Sequence, residues 1–95
     1  MTINEYHYSI GEDDQFEDAI TFSTKTRYSL TDDLECEWLV QDCADDFFHN
    51  HDGYEIQSWA RHDNPLKFHI WINSTTKRTF NVWCNYKPTF SLVEL

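Results

Sequence analysis

Ninety-five residues, of which 40% are hydrophobic and 17% aromatic, make one domain spanning 1–95, because halves of such a chain are too small to bury separate cores. The composition excludes disorder, and no run approaches the roughly 18 apolar residues of a membrane span. A formal net charge of −10 sets the surface against direct contact with nucleic acid, whose phosphates it repels.

The opening "MTINEYHYSI" lacks a basic patch followed by an apolar stretch, so it is not read as a signal peptide, and the expected location is cytoplasmic. Tyr6, Tyr8 and Ile10 alternate and predict a first strand. "GEDDQFED" reads as a charged loop opened by Gly11, and Ile20 and Phe22 within "AITFSTKTRYS" predict a second strand. From Thr31 to about His49 the period changes: Cys36, Val40, Cys43 and Phe47 recur at helical spacing, flanked by Leu39 and Ala44. Ser29 or Thr31 is the expected cap, with Asp32, Asp33 and Glu35 in the first turn, where the helix dipole favours anions. Gly53 is expected to end the segment.

Beyond it, "YEIQSWA" reads as a short strand. "LKFHIWIN" and "TFNVWCNY" form the clearest pair, a hairpin whose Phe68, Ile70, Phe80 and Val82 share the core face. If the pair is in register, Trp71 and Trp83 meet on the opposite face. "TFSLVEL", after Pro88, reads as an edge strand. The expected fold is α+β: one main helix packed on an antiparallel sheet of four to six strands. Cys36 and Cys43 stand about 10 Å apart along the helix, too far for a disulfide, so the cysteines are expected to be buried thiols.

The charge is unevenly placed. Residues 1–55 carry fifteen acids against Lys25 and Arg27, while residues 56–95 carry two acids against five cations. From Thr31 through Asp52 there are eight acids and no Lys or Arg. Mixed signs on an exposed helix add a few tenths of a kcal/mol per pair, and this helix forgoes them. Glu35, Asp42, Asp45 and Asp46 are expected opposite the core stripe with Trp38 among them. Such a face suits a basic partner: the field steers, and the indole anchors. The expected partner-binding set is Asp32, Asp33, Glu35, Trp38, Asp42, Asp45 and Asp46.

The run "DDFFHNHDGYE" invites two other readings. Three adjacent side chains diverge, so the letters H-N-H do not make a nuclease centre. His49 and His51, with Asp45 nearby, are the candidate metal ligands, but no HExxH or CxxC accompanies them, and no metal or cofactor is expected. Without a nucleophile elbow, a phosphate loop or a Cys–His signature, the chain is not expected to be an enzyme.

The run His49-Asn50-His51-Asp52-Gly53-Tyr54-Glu55, with Ser58-Trp59 and the strand after it, resembles a segment of small bacterial and prophage proteins over about residues 34–90, and that resemblance brings no activity. Size, acidity and the sheet-plus-helix pattern are similar to phage-encoded inhibitors of host defence, anti-CRISPR proteins and DNA mimics among them. That similarity implies an inhibitor acting in a bacterial host cell on a basic, nucleic-acid-binding protein complex, and it transfers no residue roles; the chain itself is expected to be a monomer or homodimer. Immunity proteins that neutralise basic toxins are the alternative of the same electrostatic kind.

Overall fold

Strict alternation of large apolar side chains builds the sheet. In the computed structural model, which describes residues 3–12, 15–51, 53, 59, 64–84 and 90–95, the strands are β1 (Asn4–Ile10), β2 (Ile20–Thr24), β3 (Leu66–Trp71), β4 (Lys77–Cys84) and β5 (Phe90–Glu94). They form one sheet in the order β2-β1-β3-β4-β5, every neighbouring pair antiparallel. The register places Tyr8 beside Ile70, Phe68 beside Phe80, Val82 beside Leu92 and Cys84 beside Phe90, so one face is almost wholly apolar. Helix α1 (Asp33–Asn50) lies on that face and buries Cys36, Leu39, Val40, Cys43, Ala44 and Phe47 against it. The expected α+β arrangement is the one observed, with β5 at an edge.

Trp59, 1% exposed, stacks on Phe68 at 5.9 Å between centroids and meets Phe47 edge-on. Truncating a buried indole of this kind costs on the order of 3–5 kcal/mol. Trp59 stands in a 3-10 turn and not in the strand expected over residues 54–60, whose other residues lie outside the described residues. All three cysteines are buried thiols, and burial raises the pKa of each, Cys43 most clearly.

Both helix ends differ in detail from expectation. The cap is Asp32, not Ser29 or Thr31: its Oδ1 accepts from the Glu35 N–H at 3.0 Å. A carboxylate there satisfies an orphan donor and complements the dipole at once, which a hydroxyl does not. At the other end Gly53 does not adopt the left-handed conformation of a helix-terminating glycine; the positive φ among the described glycines belongs to Gly11, at 67°. Position 53 instead needs hydrogen for space, since a Cβ there falls 2.8 Å from the Phe47 ring and 2.9 Å from the Phe48 Cα. The Gly53 carbonyl accepts from the Trp59 indole N–H at 3.1 Å.

The outer face of the sheet also departs from expectation. Trp71 lies opposite Lys77 and Trp83 opposite Ser91, so the two indoles sit about 20 Å apart along the strands and do not meet. The turn between β3 and β4 fixes this register by closing at Ile72 and Thr76. Trp71 is instead covered by Phe16, delivered by a 3-10 turn at Phe16–Asp18 inside the charged loop, while the Lys77 ammonium stands 5.3 Å over the indole. Beneath that loop His69 is buried and fully used: Nε2 donates to the Gly11 carbonyl at 2.7 Å, and Nδ1 lies 2.9 Å from the Thr79 hydroxyl.

Candidate functional site

At about 100° per residue, the acids of α1 fall into three rows rather than one face. Glu35, Asp42 and Asp46 occupy the flank toward β1. Asp33 and Glu37, followed by Gln41 at the same four-residue spacing, run along the flank toward β5. Leu34, Trp38, Asp45 and His49 point away from the sheet.

The first row is structural. The Tyr8 hydroxyl donates to Asp46 Oδ2 at 2.7 Å, the Asn50 amide donates to Asp46 Oδ1 at 2.9 Å, and His51 Nε2 stands 3.4 Å away. The Tyr28 hydroxyl donates to Asp42 Oδ2, while its N–H donates to the Tyr6 hydroxyl at 2.6 Å. Burial, helped by Asp46, raises the Tyr8 pKa far above the usual phenol range; burial and the bond to Asp42 push Tyr28 up to about 12. Glu35 accepts from the Ser29 N–H at 3.1 Å. The expectation that Asp42 and Asp46 lie opposite the core stripe is therefore corrected: they sit at its margin, and the Asp46 side chain is only 14% exposed. The cause is a pair of phenols that need acceptors once they are taken from water, Tyr8 on the inner face of β1 and Tyr28 beyond β2.

The second row borders the edge strand. Gln41 donates its side-chain amide to the Phe90 carbonyl. Arg78 faces the helix from β4 and donates through Nε and Nη2 to Glu94, each at 2.6 Å, through Nη2 to Asp33 at 2.8 Å, and through Nη1 to the Leu30 carbonyl at 3.0 Å. Asp33 stays exposed in this arrangement, its side chain 88% accessible.

The third row is the outward surface. Trp38 is 52% and Leu34 55% exposed, one helical turn apart. Asp45 is exposed and pairs with His49 at 3.3 Å. Of the residues expected to bind a partner, Trp38, Asp45, Asp33 and the capping Asp32 are thus on the exposed surface, whereas Glu35, Asp42 and Asp46 are turned to internal work. Leu34 and Glu37 were not among the expected set and belong to the surface group. Their i,i+4 relation to Trp38 and Asp33 was the sequence signal available.

His49 and His51 engage different carboxylates, Asp45 and Asp46, and do not converge. Among the described residues no group of three His, Cys, Asp or Glu is placed to hold a metal ion. The outer sheet face carries an open pocket of about 380 Å³ lined by Gln15, Phe16, Trp71, Ser74, Thr75 and Lys77. Among the described residues no helix is long and apolar enough to cross a membrane. Comparison of the chain with protein-family models, curated proteins and solved structures finds no match.

Proposed function

We propose that this protein is a non-catalytic binding protein that docks the outward side of α1 on a basic, nucleic-acid-binding protein and blocks it. The observation that carries this reading is the half-exposed Trp38 beside the half-exposed Leu34, bordered on the same helix by Asp33, Glu37 and Asp45. An indole left in water beside a leucine forgoes apolar burial of the order of 1.5–3 kcal/mol, which a partner recovers on covering it. Carboxylates around such an anchor raise the encounter rate with a cationic surface and discourage neutral ones. Asp33, Glu37 and Asp45 lie four and eight residues apart, so they step about 6 and 12 Å along the axis, an array of fixed anions that a phosphate-binding groove accepts.

The test is capture of partners on the immobilised protein, washed at low and high salt, with Trp38→Ala and Asp45→Lys in parallel. A nucleic-acid-binding protein retained at low salt and displaced by competing DNA or RNA is the expected result. Trp38→Ala is expected to cost about 2 kcal/mol of binding, and Asp45→Lys to weaken binding and flatten its salt dependence. Partners retained equally by both variants would refute the reading.

A further inference from the structure

The edge strand beside this helix face offers a second kind of contact. Leu95 N–H donates to the Thr79 carbonyl at 2.8 Å, and the register sets these two residues opposite one another, so position 95 turns its backbone toward β4. Such pairs alternate in an antiparallel ladder, so Val93 and Ser91 also turn their backbone groups toward β4, and Phe90, Leu92 and Glu94 turn theirs outward. The Gln41 amide reaching the Phe90 carbonyl from the helix agrees with that orientation. Past Phe90, no described residue hydrogen-bonds the outward backbone of Leu92 or Glu94, and the strand's side chains are open there: Val93 is 57% and Leu95 64% exposed.

The helix gives this edge a charge. Gln41 is tied to Phe90, and Asp33 is tied through Arg78 to Glu94, so α1 runs antiparallel to β5 with exposed Glu37 midway, level with Leu92. A strand added to the edge would alternate its side chains between two surroundings. One set would lie on the helix side, toward Asp33 and Glu37. The other would lie on the outer side, against Val93 and Leu95.

We infer that β5 accepts an extended, basic segment of the partner by strand addition, a segment that alternates Lys or Arg with β-branched apolar residues. This rests on the proposed docking of a basic protein and adds the form its contact takes. Main-chain bonds supply affinity in this mode, and the alternating side chains supply selectivity. Charge argues for a foreign strand over a second copy of this chain, which would set its own Asp33 and Glu37 against the same residues across the dyad.

The probe is a synthetic peptide of about nine residues alternating Lys and Val, compared with the same peptide N-methylated at alternate amides, which keeps the charge and removes one edge of donors. Amide hydrogen exchange is followed by NMR in the full chain. The unmodified peptide is expected to slow exchange at Leu92 and Glu94 about tenfold or more and to leave Val93, already bonded to β4, unchanged; methylation should weaken binding about tenfold. Glu37→Lys, a surface change, should weaken the unmodified peptide by a similar factor. Equal binding of the two peptides would overturn strand addition while leaving attraction to a basic partner standing. Absence of binding, or protection elsewhere, would also overturn it. So would protection of Leu92 and Glu94 that rises with protein concentration without peptide, since a second copy would then hold the edge. Failure of the docking proposal itself would show separately, as salt-insensitive capture unaffected by Trp38→Ala.

Discussion

The two flanks of α1 carry similar carboxylates and use them oppositely. Toward β1, Asp42 and Asp46 are held by Tyr28 and Tyr8, and Glu35 by the Ser29 backbone. Away from β1, Asp33, Glu37 and Asp45 stay exposed beside Trp38 and Leu34. A count of acids along the helix describes one field, but the fold divides it into acceptors that hold the helix on the sheet, Asp33 among them through Arg78 although it stays exposed, and charges at Glu37 and Asp45 left toward solvent or a partner. What decides is the neighbour: a buried phenol needs an acceptor, and a carboxylate within reach supplies one at the margin of the core.

The sharpest way to break the comparison is to delete one member of each group. Asp46→Ala strands the buried Tyr8 hydroxyl and is expected to destabilise the protein by about 2–3 kcal/mol in chemical denaturation. Asp45→Ala, one residue earlier but exposed, should stay within about 0.5 kcal/mol. Equal losses would mean that the held and the exposed carboxylates do not differ.

Alkaline titration sharpens the same point with a smaller effect. Tyr8 and Tyr28 have folded pKa values above the roughly 10 of an unfolded tyrosine. Their neutral forms are favoured by the fold, so this contribution is complete below pH about 10 and is lost as pH rises through 10 toward the folded values, about 12 for Tyr28. Thermal melts from pH 9 to 11.5 should show a falling Tm, and Tyr28→Phe should reduce the slope after costing about 1 kcal/mol at neutral pH. A slope unchanged by Tyr28→Phe would remove the Tyr28–Asp42 pair from the account.

The smallest effect is expected at the outward row. Trp38→Ala should move stability by no more than about 0.5 kcal/mol, because the indole is half in water and alanine is the better helix former. A larger loss would mean that the indole packs on its own helix and is not held for a partner.

Much of the architecture is legible in the residues, and particular reasons explain the remainder. The stripe Cys36, Val40, Cys43, Phe47 and the alternation of Phe68 with Ile70 and of Phe80 with Val82 each satisfy one period only, and the helix and hairpin follow. Asp42 and Asp46 were misread because they lie just off the stripe, where helical spacing alone does not say whether a carboxylate turns in or out. The missing information was on other elements: Tyr6 and Tyr8 on the inner face of β1, with Tyr28 following β2, announce hydroxyls in need of partners. The Trp71–Trp83 contact failed because register belongs to the turn, and closure at Ile72 and Thr76 sends Trp71 to Lys77. Phe16 was invisible as a cover because its loop has no period to read.

One guanidinium on β4 gathers two stretches of chain that are far apart in sequence: the entry to the helix, at the Leu30 carbonyl and Asp33, and the edge strand at Glu94. It works as a clasp. Whatever grips the rim of the sheet therefore also tugs the beginning of the helix, and the surface a visitor meets is braced before it arrives rather than assembled around it.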